Sequence, residues 1–353
     1  MANSCATRAL RPGIYAPLPT FFDDNQEIDY ESYKKHLLSQ FESLLKSTFE
    51  SLSPDPVFLD LATKDMIPVC AGSLGEAVHL SFDERTALIH FIRNTLDEAG
   101  LQTTPIVAGV GGLSTRETIQ LSHAAAKAGA DAGMVILPAY YAASLNTNQE
   151  QVIQYYIDIC EASPIPLLLY NFPANAGGQD MSSEVISAVM KLAPNLCGVK
   201  LTCGGSIGKL LRLNATISEN PSISFSRKFP FLLLDGLIAD LTPWMQCGGH
   251  GTVSGIPNFA PLASVRLWTL LNTLSPTEKE AQEAKEIQAI LSRADVAAVP
   301  GGIRAMKYAL NKIYGYGIAP RKPLLPLEQS EGERFMEALE KMLQLERKLM
   351  EEW

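Results

Sequence analysis

The sequence predicts an α/β fold, a (β/α)8 TIM barrel followed by a C-terminal helical extension. Three observations carry this. Short apolar runs alternate with amphipathic helical stretches, the pattern of repeated βα units. The runs are continuously apolar, which suits strands of a parallel sheet buried on both faces. Eight of them fit within about 240 residues, and none is followed by GxGxxG, so a closed barrel is favoured over a doubly wound dinucleotide-binding sheet.

The strands are expected at Ile14–Thr20, Ile67–Ala71, Pro105–Gly109, Gly133–Leu137, Ile165–Tyr170 and Cys197–Leu201, with a weaker seventh at Ser222–Phe225 and an eighth at Gly251–Ser254. Between them, Ser81–Ala99 and Ser114–Ala128 read as helices that open on a hydroxyl with a carboxylate three residues later, the arrangement that satisfies unpaired amides at a helix start. Asn148–Ala162 and Ser182–Leu192 follow. After about Pro261 the strands stop, and Arg266–Thr273, Pro276–Arg293, Ile303–Tyr314 and Glu331–Glu352 read as helices. Gly301-Gly302 and the Pro-rich Pro320–Pro326 mark joints between them. The expected organisation is a catalytic barrel over residues 12–262 and a helical region over 263–353. Ser39–Asp65 is an atypical insertion, with a near-repeat at Phe41-Glu-Ser-Leu and Phe49-Glu-Ser-Leu before Ser53-Pro-Asp-Pro56. A helix-to-strand connection usually takes a handful of residues. A longer first helix, a surface excursion or an aberrant gene prediction would each account for it.

Composition narrows the function. The 353 residues are 46% hydrophobic and 19% charged, with 29 Lys and Arg against 38 Asp and Glu, ordinary for a globular protein. A net charge of −9 without a basic run argues against nucleic acid as a partner. No apolar run reaches the roughly 18–20 residues of a membrane span. The six cysteines are scattered and form no CxxC, so neither a disulfide framework nor a zinc cluster is expected. Together with an N-terminus that lacks a secretory apolar stretch, this points to the cytosol, with the mitochondrion as the alternative.

In such a barrel the active site is built at the C-terminal ends of the strands. Strand 2 is followed by Gly72-Ser-Leu-Gly-Glu76, two glycines around a hydroxyl, which expose backbone amides suited to a carboxylate. Strand 4 is followed by Tyr140-Tyr141, and strand 5 ends in Tyr170, whose hydroxyl could carry a proton. The sharpest anomaly is Lys200 inside the apolar Cys197–Leu201, sharing a face with Gly198. A lysine is rarely buried without a reason, and a neutral amine forms a Schiff base with a ketone. A lysine at a strand end that merely reaches solvent is the plainer alternative. The five histidines form neither HxH nor HExxH, and Ser73 sits in no GxSxG elbow, so zinc and serine-hydrolase chemistries are disfavoured.

Taken in order, Gly72–Glu76, Gly109–Thr118, Tyr140-Tyr141, Tyr170-Asn-Phe-Pro173, Gly198-Val-Lys200 and Gly248–Ser254 closely resemble the dihydrodipicolinate synthase / N-acetylneuraminate lyase family. The resemblance runs from Gly13 to about Glu340. It implies a class I, pyruvate-handling barrel that needs no metal or other cofactor, acts on a small 2-oxo acid, and assembles as a homotetramer or homodimer. By position in those motifs, Lys200 is implied as the Schiff-base lysine, Tyr170 as the proton carrier, and Ser73 and Tyr141 as its relay, Tyr141 often acting across a dimer interface. Ser73, Leu74 and Gly75 would bind the 2-oxo-acid carboxylate, Val253 would line the pyruvyl site, and Asn175 and Thr202 would face the aldehyde portion. Dihydrodipicolinate synthases usually carry arginine where Asn175 stands and threonine where Leu74 stands. The chain therefore looks most like the fungal 2-keto-3-deoxy-L-galactonate aldolases of carbohydrate catabolism and like 4-hydroxy-2-oxoglutarate aldolases. A condensing enzyme on the same scaffold, or a non-catalytic member of the family, are the other readings.

Overall fold

The computed structural model describes residues 8–49, 66–204, 206–221, 223 and 229–352. Its strands are β1 Gly13–Pro17, β2 Met66–Cys70, β3 Val107–Gly109, β4 Ala132–Ile136, β5 Leu167–Asn171, β6 Leu196–Leu201, β7 Leu232–Asp235 and β8 Gly251–Val253. They form a closed barrel in sequence order, with parallel neighbours on both sides of β1 and from β3 through β7. The expected (β/α)8 barrel is therefore observed. Seven strands fall where the apolar runs put them. The seventh does not: the expectation at Ser222–Phe225 lies almost wholly outside the described residues, where only Ile223 is seen, in a helical turn. The strand is the continuously apolar Leu232–Leu234 with Asp235, all buried. That run is the better match to a strand covered on both faces.

The chain divides into two compact units. One holds Phe82–Gly236 with Gln246–His250 and the N-terminal residues through Pro12. It contains β3 to β7 and helices over Phe82–Glu98, Thr115–Ala128, Gln149–Ala162, Ser183–Leu192 and Ser206–Glu219. Its helices start where local hydroxyls and amides cap them. Ser114 Oγ accepts from the Glu117 amide at 3.2 Å, Asn148 Oδ1 from Glu150 at 2.9 Å, and Ser182 Oγ from Val185 at 3.3 Å. Each satisfies an amide with no partner inside the helix. The helix Gln149–Ala162 buries Val152, Tyr155, Tyr156, Ile159 and Cys160, one face at helical spacing. The Tyr156 hydroxyl donates to the β4 carbonyl of Val135 at 3.1 Å, so the burial of that ring leaves no polar atom stranded.

The other unit holds Gly13–Ser81, Leu237–Met245 and Gly251–Trp353. In it β1 lies between β2 and β8, with Ile14 opposite Met66 and Tyr15 opposite Val253. The first helix runs Tyr30–Phe49, so the front of the 39–65 insertion is a helix extension; Glu50–Asp65 lies outside the described residues. The four C-terminal helices are Pro261–Leu271, Glu278–Ala298, Gly302–Tyr314 and Gln329–Glu352. The first has no capping side chain of its own. Instead Glu346, from the last helix, accepts from the Leu262 and Ala263 amides at 2.9 Å each. Burial outweighs these two bonds and raises the Glu346 carboxyl from its ordinary 4.5 to about 7.

Candidate active site

In the first unit, β5 and β6 bring together two of the expected catalytic side chains. Tyr170 and Lys200 are register partners. Both are buried, and the Lys200 Nζ stands 4.1 Å from the centroid of the Tyr170 ring. On the same face Gly198 makes room below the lysine. A Cβ there would lie 2.4 Å from the Leu232 carbonyl oxygen and 2.8 Å from the Leu168 side chain. The ring of Phe172 stacks on Tyr170 at 5.8 Å and 25°.

Two residues beyond the lysine, the Thr202 amide donates to the Asn171 carbonyl at 2.9 Å. Its Oγ1 is buried and has no hydrogen-bond partner among the described residues. An idealised Cβ on Gly236, just past β7, would fall 1.9 Å from that oxygen. Gly236 thus leaves Thr202 its space.

The segment after β5 is fixed by side chains that sequence reading did not single out. Asn171 donates from Nδ2 to Asp180 at 2.7 Å and accepts the Met181 amide at 3.0 Å. Lys209 pairs with the same Asp180 carboxylate. Gln179 donates to the carbonyls of Pro138 and Ala176 at 2.9 and 2.8 Å, tying this segment to the one after β4. Asn175 sits on the exposed side of this loop, in the turn Pro173–Asn175. Tyr141 is 68% exposed, its ring edge-on to Tyr140 at 4.9 Å.

In the second unit, β2 runs into Ala71 and then the turn Gly72–Glu76. The turn is bracketed by two non-glycine residues in the left-handed region, Ala71 at φ 48° and Glu76 at φ 55°, a conformation that surrounding structure must hold. The Glu76 amide donates to the Ser73 carbonyl at 3.2 Å, and Thr20 Oγ1 to the Gly75 carbonyl at 2.8 Å. A Cβ on Gly75 would press within 3.0 Å of the Ala71 amide nitrogen. The amides of Leu74 and Gly75 meet no acceptor among the described residues. Two neighbouring donors without acceptors form a concavity suited to an anion. Val253, at the end of β8, is buried.

Glu76 itself was named in the sequence only as the end of the motif. It is buried, its Oε1 lies 2.6 Å from Lys307 Nζ, and its Oε2 accepts from the Arg321 amide at 2.9 Å. Among the described residues no three His, Cys, Asp or Glu side chains gather as metal ligands, and no helix is long and apolar enough to cross a membrane.

Residues 64–342 match the dihydrodipicolinate synthetase family. The chain belongs to that family. A relative from Emericella nidulans, named "Probable 4-hydroxy-2-oxoglutarate aldolase, mitochondrial", is 36% identical over 98% of this chain and 99% of its own. One from Aspergillus niger, named "L-threo-3-deoxy-hexylosonate aldolase", is 34% identical over 96% and 97%. The crystal structure of a dihydrodipicolinate synthase family protein from Coccidioides immitis superposes with a TM-score of 0.77 at 27% identity, covering 97% of this chain and 99% of that one. Over this length and identity the chain is, like these relatives, a carbon–carbon lyase of the aldolase type.

Proposed function

We propose that the protein cleaves a 2-keto-3-deoxy sugar acid, such as 2-keto-3-deoxy-L-galactonate, to pyruvate and an aldehyde through a Schiff base on Lys200. The observation that carries this is the buried lysine 4.1 Å from the ring of a buried tyrosine, on adjacent strand ends. Lys200 attacks the C2 ketone and, with loss of water, becomes a protonated imine. The C3–C4 bond then breaks, its electron pair flowing into the imine to give an enamine. Tyr170, with Ser73 and Tyr141 as its relay, takes the proton of the C4 hydroxyl as the aldehyde leaves, and the enamine is protonated at C3. Hydrolysis of the imine releases pyruvate. The backbone of Ser73, Leu74 and Gly75 binds the carboxylate, which keeps the ketone within reach of the amine. Val253 lines the pyruvyl site, and Thr202 and Asn175 face the aldehyde portion.

The second reading is cleavage of 4-hydroxy-2-oxoglutarate to pyruvate and glyoxylate, the substrate in the name of the Emericella relative. That substrate has a second carboxylate, which calls for a cation. The segment Phe172–Asp180 holds no Lys or Arg, and Asn175 is neutral. The orphaned Thr202 hydroxyl also suits a hydroxylated chain. Both favour the sugar acid.

We take the catalytic region as residues 12–262 and the helical region as 263–353, the active form as a homodimer or homotetramer in which the exposed Tyr141 is shared, and the compartment as the cytosol rather than the mitochondrion. Incubation with pyruvate, borohydride reduction and peptide mapping tests the chemistry. One pyruvyl adduct on Lys200, absent from Lys200→Ala, is expected. A folded protein without adduct, or Lys200→Ala with full turnover, would overturn it. A panel of both substrates then separates the two readings.

A further inference from the structure

The Lys307–Glu76 pair is costly to bury and is buried completely, Lys307 at 0% and Glu76 at 2% exposure. Removing a lysine and a carboxylate from water is repaid only when geometry and further bonds are excellent. Here they are. Lys307 also donates to the Ala319 carbonyl at 2.9 Å and lies over the Phe22 ring at 4.3 Å. The Arg321 guanidinium covers the same ring at 4.4 Å and donates to the His79 carbonyl at 2.9 Å. The second Glu76 oxygen accepts from the Arg321 amide, and His79 Nδ1 lies 3.0 Å from it. The charged and titratable groups around Lys307 are thus Glu76, Arg321 and, through Glu76, His79.

These bonds converge on one end of a strained turn. Glu76 is the left-handed residue that closes Gly72–Glu76, and Lys307 comes from a helix more than 200 positions later in the chain. The same helix reaches the turn a second time. The Met306 methyl and the Leu74 side chain both approach Gly255, 3.0 and 3.1 Å from where its Cβ would stand. Helix Gly302–Tyr314 therefore grips the turn by charge at Glu76 and by packing near Leu74.

We infer that Lys307 and Glu76 are positioning residues, whose buried ion pair holds the turn after β2 in the conformation that presents the Leu74 and Gly75 amides to the substrate carboxylate. The inference rests on the carboxylate role proposed above for those amides. It makes the C-terminal helical region a working part of the substrate site. Burial lowers the Lys307 ammonium from 10.5 to about 8, opposed by Glu76. Lys307 accordingly gives up its charge as pH rises through about 8, and its attraction to Glu76 goes with it.

The test measures borohydride-trapped pyruvate as a function of pyruvate concentration for the full chain and for Lys307→Met, Glu76→Gln and the double variant. The amplitude reports the folded fraction, and the half-saturating concentration reports the carboxylate site. Half-saturation should rise roughly tenfold or more in Lys307→Met, with the trapping rate at saturation within about twofold, because small misplacements of a positioning group cost on that scale. The double variant should recover part of the loss, since it no longer strands a buried carboxylate. Above pH 8 the half-saturating concentration of the unaltered protein should climb toward that of Lys307→Met. Should Lys307→Met fail to fold, the isosteric Glu76→Gln decides. Unchanged half-saturation in whichever variants fold, with amplitude alone reduced, would make the pair merely structural and overturn the inference. Absence of any adduct in the unaltered protein would instead overturn the Schiff-base reading itself.

Discussion

Tyr170 and Lys200 occupy paired positions on neighbouring strands, and their roles separate cleanly under mutation. Tyr170→Phe keeps the ring beneath the amine and removes only the hydroxyl. Trapping of pyruvate on Lys200 should persist, while turnover falls by roughly a hundred- to ten-thousand-fold, the range for a lost general acid–base group. Steady-state kinetics beside the trapping assay check this. Thr202 offers a second test at the same scale. An alanine at position 236 would drive a methyl into its Oγ1, 1.9 Å away in the present geometry. Gly236→Ala should therefore leave the pyruvate adduct intact and lower sugar-acid cleavage roughly tenfold or more. Equal activity in both assays would remove Thr202 from the aldehyde side. Tyr170 and Lys200 stood out in the sequence because polar atoms interrupt apolar strands there, while Thr202 was named only through the resemblance to the family. Glu76, Asn171, Asp180 and Lys209 were not legible in their roles. Glu76 acts through Lys307, and Asn171 through an Asp180 that Lys209 holds from a later helix, and one sequence carries no signal for such pairs.

At the scale of elements, the runs that became strands were found because burial on both faces removes polar residues from them. β7 was misplaced because a short β-compatible stretch was preferred to Phe231–Leu234, a purely apolar run whose end at Asp235 and Gly236 marks it as a strand stop. The starts after Ser114, Asn148 and Ser182 were predictable to within a residue, since those side chains cap them locally, whereas the helix expected from Arg266 starts at Pro261, where no side chain of its own caps it. The fit of β6 between its neighbours depends on Gly198. A Cβ there meets the Leu232 backbone carbonyl at 2.4 Å, and backbone cannot rotate aside. Gly198→Ala should cost about 1–3 kcal/mol, the usual range for overpacking a tight interior. Denaturant titration would measure it, and an unchanged midpoint would mean the strands separate more readily than this geometry implies.

For the molecule as a whole, stability should depend on pH through buried groups remote from the chemistry. Glu346 is raised to about 7 and Asp295 to about 6, both by burial. A carboxyl with a raised folded pKa contributes stability that is fully present below its unfolded value and lost as pH rises through the folded one. Replacing Glu346 with Gln removes that charging cost. The melting temperature of Glu346→Gln relative to the unaltered protein should therefore increase between pH 5 and pH 8. A difference that stays flat across that range would contradict the assignment. His36 acts at the other end. Burial lowers it to about 4, so its contribution is complete above about 6.5 and is lost as pH falls through about 4.

The cap that Glu346 places on Leu262 and Ala263 also sets an order in time. Ser114, Asn148 and Ser182 are made just before the helices they begin, so those helices can form as the chain leaves the ribosome. The helix Pro261–Leu271 comes soon after β8 and waits for a carboxylate 84 positions downstream of Leu262. The unit that holds β1, β2 and β8 cannot complete this cap before residue 346 is made, whereas the unit bearing Lys200 has every residue of its own by position 250.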